Sequence, residues 1–358
     1  MTTGESFPMN GGDGAFSYAK NSNYQREASN TLKEMIEEAI AEGLDTMSLI
    51  SSSNTFRVVD LGCSVGPNTY ITMQNVIEAV EKKYNSQGHD GSNKLQFQVF
   101  FNDHVSNDFN TLFASLPPER QYFAAGVPGS FYDQLFPSTS IHFTHSSYAL
   151  QWLSKLPDEL LDRNSPAWNK GRIHYTGASN EVVNAYASQF EKNMESFLKA
   201  RATEIVSGGV VVIIMPGIPA GVRYSELPIG ILFNFIGSCL LDMANEGIID
   251  EAEIDAFNLP IYAASVKEMT KLIEKNGCFT IEKLEVADPR SKIPNLVSAQ
   301  GLIMHLRAGM EGLFTKQFGS QNMEEMFNRT TQKIPEIKRW LESGYRKETQ
   351  LIVVLKRK

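Results

Sequence analysis

A glycine-rich stretch stands between the first apolar strand of the chain and the helix that follows it: Asp60-Leu61-Gly62-Cys63-Ser64-Val65-Gly66-Pro67-Asn68. Glycines in that place let a ligand approach the backbone closely. Asp103 ends the next strand. An acidic side chain there can accept from both ribose hydroxyls of an adenosine-containing ligand. The chain carries neither a Gly-Lys-Ser/Thr phosphate cradle nor a GxGxxG fingerprint. A nucleoside without a pyrophosphate is what remains, and S-adenosylmethionine is such a molecule. On spacing alone the same residues also suit a tight strand-to-helix turn beside an unrelated loop acid.

Gly62, Ser64 and Gly66 also fit GxSxG, which would make Ser64 an esterase nucleophile. That elbow normally follows several strands, and its acid and base come later as Asp/Glu then His. Here the turn follows the first strand, and the late histidine, His305, falls in a helical pattern. His142 and His145 have no third His, Cys or carboxylate nearby and read as core or rim histidines. Tyr148-Ala149-Leu150-Gln151-Trp152 follows the fourth strand. A Trp just beyond a strand end can lay its ring on a substrate and point its N–H at an acceptor. It can equally be an aromatic packed under a cap. Gln25, between Tyr24 and Arg26, is by itself an ordinary residue at a helix entry.

These positions need strands that end together. Apolar runs predict strands at 56–61, 97–101, 122–126, 140–145, 210–215, 279–286 and 351–355. Helical periodicity covers 26–43, 181–206, 226–246, 264–276 and segments within 297–336. Asn68 or Thr69 is the expected cap of the helix after the glycine turn, and Gly208-Gly209 the expected stop of helix 181–206. Alternation of this kind predicts an α/β fold with a mainly parallel sheet. The longer excursions read as a helical cap over the carboxyl ends of the strands, where open α/β sheets bind ligands. The expected division gives an α/β core of residues 1–152 and 172–215 with 279–358. The cap then comprises 153–171 and 216–278 plus parts of 290–340.

Composition narrows the classes further. The 358 residues are 42% hydrophobic and 21% charged, enough apolar material for a full core, so disorder is excluded. The formal net charge of −8 repels a phosphate backbone and argues against nucleic acid as a partner. Three scattered cysteines, Cys63, Cys239 and Cys278, give neither a disulfide framework nor a CxxC metal site, which fits a reducing, cytoplasmic setting. No signal-peptide pattern and no uninterrupted apolar run of roughly 18 residues is found, so no membrane partner is expected.

Together these segments resemble the plant SABATH family, the small-molecule methyltransferases of the salicylic acid, benzoic acid and theobromine synthase type. The resemblance runs from Met9 to Lys358. It is carried by Met9-Asn10-Gly11-Gly12, Ser17-Tyr18, the glycine turn, Asn102-Asp103, Asn107-Asp108-Phe109-Asn110, Pro128-Gly129-Ser130-Phe131-Tyr132, Ser147-Tyr148 and Phe257-Asn258-Leu259-Pro260. Phe100 to Val105 and Phe123 to Gly129 are most similar to the loganic acid and farnesoic acid branch.

The resemblance implies a Rossmann-like methyltransferase sheet with an inserted α-helical cap. It implies an S-adenosylmethionine-dependent carboxyl O-methyltransferase that gives a methyl ester and S-adenosylhomocysteine. By it, Tyr18, Cys63, Asn68, Asp103, His104, Ser130, Phe131 and Ser147 contact the cofactor. Gln25 and Trp152 hold the substrate carboxylate, with Tyr148 beside it. Relatives are homodimers, and some hold Mg²⁺, for which the matching residues are Asn169, Asp255, the Phe257 carbonyl and Asn258. Gln25 sets the chain apart from the branch that methylates xanthine-like ring nitrogens, which is the alternative activity. Asn10 stands where salicylate-type members carry lysine. Gln151, Phe233 and Ile261 stand where the loganic acid enzymes carry polar residues. With Leu232 and Met310 they imply a small, fairly apolar acid as substrate.

Overall fold

The computed structural model describes residues 8–12, 14–22, 33–50, 54–88, 94–288, 298–344 and 349–358. Gln25 lies outside them. The strands are β1 (Thr55–Leu61), β2 (Gln96–Asp103), β3 (Phe123–Pro128), β4 (Ile141–Ser147), β5 (Ile205–Ile218), β6 (Ala264–Ser265), β7 (Phe279–Ala287) and β8 (Gln350–Arg357). The helices are α1 (Tyr18–Asn21), α2 (Lys33–Gly43), α3 (Thr46–Leu49), α4 (Pro67–Ser86), α5 (Phe109–Ala114), α6 (Asn180–Glu204), α7 (Pro228–Asn245), α8 (Glu251–Asp255), α9 (Val266–Asn276), α10 (Ala299–Gln332) and α11 (Ile334–Gly344).

The central strands are near-continuous β-branched and aromatic runs, the pattern of strands covered on both faces. They pair in the order β3-β2-β1-β4-β5-β8-β7, with β6 beside β5. The first five are parallel, and β8 runs antiparallel to both β5 and β7. The mainly parallel α/β sheet read from the sequence is therefore present, and one reversed strand adds itself near an edge. On one face Val58, Phe143, Val212 and Ile352 pack with Met73, Ile77 and Ile36 of α4 and α2. On the other, Val59, Leu61, Val211 and Ile213 pack with Phe190 and Phe197 of α6 and with the residues of α7 and α10.

Three local expectations are corrected. The cap of α4 is Gly66 (φ 103°), with Pro67 in the first helical position. Pro has no N–H to leave unpaired there, so a side-chain cap is dispensable. Thr69 turns its hydroxyl to Asp60 instead. Second, α6 ends at Glu204, and Gly208 and Gly209 lie inside β5. The β4–β5 register shifts between Ile141 and Phe143. At that bulge Gly208 takes φ 84°, and a Cβ on Gly209 would sit 2.9 Å from the His142 carbonyl oxygen. The glycines serve the bulge. Third, α7 has the length and hydropathy of a membrane span. Its Leu232, Phe233, Ile236, Leu240 and Met243 are buried against the rest of the fold, as in a core helix.

Residues 216–278 carry α7, α8 and α9, whereas 153–171 hold only a 3-10 turn at Asp158–Leu160. α9 packs against α6 and β7.

Candidate active site

Three strand ends are tied together at the glycine turn. Gly62 and Cys63 both donate their N–H to the Asn102 carbonyl, at 2.9 and 3.0 Å. The Asn102 amide donates onward to the Val127 and Gly129 carbonyls. Gly62 has φ 79°, and a Cβ there would lie 2.3 Å from the Ala149 Cβ. The backbone can hold this bend against β4 only with glycine. We therefore expect Gly62→Ala to lose about 1–3 kcal/mol of stability from overpacking alone and to weaken S-adenosylhomocysteine binding. Thermal denaturation and a binding titration check both.

The Asp103 carboxylate folds back over the turn. One oxygen accepts from Ser64 N–H and the other from His104 N–H, each at 2.7 Å. Burial pushes its pKa up, and those two N–H groups only partly offset this. Ser64 has φ 51°. Its hydroxyl is buried and finds no hydrogen-bond partner. Among the described residues no base is hydrogen-bonded to it, so the esterase alternative lacks an activated nucleophile. The Cys63 thiol is pushed up by burial and then by Asp103 and Asp60, which keeps it neutral and unreactive.

The N-terminal segment closes over this turn. Tyr18 N–H donates to the Asn10 carbonyl at 2.8 Å, and Asn10 N–H to the Ala308 carbonyl at 3.0 Å. The Asn68 amide reaches both the hydroxyl and the carbonyl of Ser22. Burial, Asp103 and Asp60 raise the Tyr18 phenol far above its usual range. Tyr18, Cys63, Asn68 and Asp103 are thus gathered round one turn, and His104 lies at its exposed side. Ser130 and Phe131 enter from the loop after β3, where Gly129 N–H donates to the Asp103 carbonyl at 2.9 Å. The Phe131 ring lies against Gly62, 3.7 Å from where a Cβ would be.

At the end of β4, Ser147 has a buried hydroxyl without a partner. Tyr148 adopts φ 53°, and its N–H donates to Ile214 at 2.7 Å. That bend turns the chain out of the sheet. The Gln350 amide donates to the Tyr148 hydroxyl at 2.8 Å, and the Gln151 amide to the Tyr148 carbonyl at 2.7 Å. Trp152 is half-buried and forms an isolated bridge with Ile261. Tyr132 holds the Trp152 carbonyl from beneath, at 2.6 Å. Leu232, Phe233, Ile261 and Met310 belong to one apolar cluster, and Trp152 packs on it.

The Asn169 amide donates to the Asn258 side-chain oxygen at 2.6 Å, and Asp255 accepts from Gly171 N–H at 2.7 Å. Two of the oxygens a cation would use are already engaged. The Asn258 amide nitrogen, which repels a cation, is buried and unpartnered. The Asn169 side-chain oxygen is also buried and unpartnered, an acceptor that a hard cation could take.

Sequence reasoning missed three groups. His145 meets Asp60 at 2.8 Å across β1 and β4. Arg201 and Glu204 form a fully buried pair beneath the Phe131 loop. His174 stands behind Phe233 and Ile261. His145 and His174 depend on partners distant in sequence, and Arg201 also reaches the distant Phe131 and Asp133 carbonyls, so local pattern says little of their roles. The i, i+3 spacing of Arg201 and Glu204 was the one visible hint.

Residues 4–358 match the model of a family described as SAM dependent carboxyl methyltransferase. A loganic acid O-methyltransferase of Catharanthus roseus is 47% identical over 361 residues, covering 100% of this chain and 96% of its own. A farnesoic acid carboxyl-O-methyltransferase of Arabidopsis thaliana is 43% identical, covering 93% of each chain. The solved structure of a loganic acid methyltransferase with SAH superposes with a TM-score of 0.93 at 47% identity, covering 98% of this chain and 99% of the other.

Proposed function

Because this chain belongs to the family of S-adenosylmethionine-dependent carboxyl methyltransferases, we propose how its own residues carry out the reaction, and on what kind of acid. Asp103, Tyr18, Cys63, Asn68, His104, Ser130, Phe131 and Ser147 are the proposed cofactor ligands. Gln25 and Trp152 are the proposed grip on the substrate carboxylate. One observation carries the assignment: the buried, unpartnered hydroxyls of Ser64 and Ser147 flank the turn that only glycine can make. Buried polar atoms are normally satisfied, and a bound polar ligand would satisfy these.

S-adenosylmethionine, when bound, supplies a methyl group on a cationic sulfur. The acid arrives ionised at neutral pH and is already nucleophilic. No residue has to remove a proton. The Trp152 indole N–H and the Gln25 amide aim one carboxylate oxygen at the methyl carbon. That oxygen forms its bond as the sulfur–carbon bond breaks. Holding the reactants in line can supply roughly 7–11 kcal/mol. Opposite charges cancel during transfer, so the apolar wall of Leu232, Phe233, Ile261 and Met310 favours the reaction by keeping water out. The same wall suits a small, fairly apolar acid, with Gln151 and Tyr148 as its polar contacts.

The test is transfer of labelled methyl from S-adenosylmethionine to a panel of carboxylic acids and xanthines. Esters of apolar acids are expected, and methylation of a ring nitrogen alone would refute the proposal. Trp152→Ala should lower kcat/KM for the acid about 10- to 100-fold, the size of one hydrogen bond to a charged group. S-adenosylhomocysteine affinity should stay within twofold. A cytoplasmic homodimer is the proposed form.

A further inference from the structure

The His174 imidazole is buried, 2% exposed, and touches two residues of the apolar wall from behind. Its Nε2 lies 2.8 Å from the Ile261 carbonyl oxygen. A carbonyl only accepts, so Nε2 carries the hydrogen. Nδ1 is then the acceptor, and Thr176 donates to it from Oγ1 at 2.7 Å. Both nitrogens are used, and the ring is neutral. Burial pushes its pKa down to about 3, so it stays neutral over the whole working range. The ring meets Phe233 edge-on, with centroids 4.8 Å apart, and lies 4.1 Å from Tyr175.

Phe233 also stacks on Tyr224, with centroids 6.4 Å apart. A cavity of about 130 Å³ borders the wall, lined by His174, Phe233, Asn234 and Gly237 among others. A wall bordered by empty space can yield. The imidazole backs both wall residues, between Phe233 and the Ile261 carbonyl, and adds to the main-chain bonds of that segment. Ile261 in turn bridges to Trp152.

We propose that His174 is a positioning residue that sets the shape of the acid pocket, through the Ile261 carbonyl and the Phe233 ring. It touches neither reactant. The inference rests on the carboxyl-methyltransfer reading, with Ile261, Phe233 and Trp152 facing the acid.

Two substitutions separate ring from hydrogen bond. His174→Phe keeps an aromatic ring and removes the donor. His174→Gln drops the ring and keeps a donor at similar reach. KM and kcat are measured for one small and one bulky apolar acid, below the melting temperature of each variant. S-adenosylhomocysteine affinity is measured by titration. His174→Phe should raise KM for the preferred acid about tenfold, the scale of a one-methylene misfit. It should flatten the preference between the two acids at least fivefold, with cofactor affinity within twofold. His174→Gln should recover at least half of that loss. An unchanged acid preference in folded His174→Phe, or a parallel fall in cofactor affinity, overturns the proposal. Should His174→Phe not fold, Thr176→Val removes only the group that orients the ring. It must then shift the acid preference in the same direction, and no shift overturns the proposal. A wild-type protein that binds S-adenosylhomocysteine but methylates no acid overturns the acid-pocket reading, and this inference with it. That failure is distinct from a failure among the variants.

Discussion

Asp103→Ala should weaken S-adenosylmethionine binding by about 100-fold, with the acid affinity of the remaining pocket little changed. The carboxylate is the proposed partner of two ribose hydroxyls, and a hydrogen bond to a charged group is worth roughly 1.5–3 kcal/mol. The same carboxylate also accepts from Ser64 and His104 N–H, so its loss loosens the turn as well. Asp103→Asn separates the effects, since it keeps the size and loses the charge. The sign of the pH dependence follows from burial. The pKa of Asp103 is raised, so it takes up its proton at a higher pH than an ordinary carboxyl group. Cofactor affinity should therefore fall as the pH is lowered, beginning above the usual carboxylate range. In Asp103→Asn that part of the pH dependence should vanish. Titration calorimetry across pH reads both, and an Asp103→Asn profile identical to wild type would exclude Asp103 as the titrating group.

Arg201→Met should be the most destabilising single change at the site, at roughly 3–5 kcal/mol. Arg201 is 1% exposed. It donates to Glu204 at 2.7 Å, to the Phe131 carbonyl at 2.8 Å and to the Asp133 carbonyl at 3.0 Å. Glu204 accepts from Leu135 and Phe136 N–H on the same loop. The pair therefore staples the loop carrying Ser130 and Phe131 to α6. Removing Arg201 strands a buried charge and frees two carbonyls. Adding Glu204→Gln should recover part of the loss, because the charge is gone while an oxygen remains to accept from the loop. Urea unfolding of both variants tests this. A single substitution costing less than about 1 kcal/mol would mean that water reaches the pair.

Much of the fold was legible because its signals are local. The run from Phe56 to Leu61, the glycines after it and the periodicity of α4 each fix an element from neighbours in sequence. The end of α6 was not legible, because Gly208 and Gly209 answer to a register shift against β4. Nothing in the residues around position 208 announces β4. Asp103 could be picked out from its place at a strand end, whereas Cys63 and Ser147 were named only through the family resemblance. His174, Arg201 and Asp60 with His145 could not, since each acts on a segment about 70 to 90 residues away. Phe257 to Pro260 was legible only as one of the blocks that carry the family resemblance. In the folded protein that stretch is threaded between Gln151–Leu153 and Ile173.

That threading has an evolutionary corollary. Leu259 N–H donates to Ile173 and Tyr262 N–H to Gln151, while Ile261 N–H donates to Leu259 and its carbonyl accepts from His174. Main-chain bonds thus hold position 261 whatever side chain it bears. A lineage can exchange the residue there and alter which molecules fit, without first remaking the frame that carries it. Diversification of this enzyme can therefore proceed by single replacements, each immediately exposed to selection on a protein that still folds.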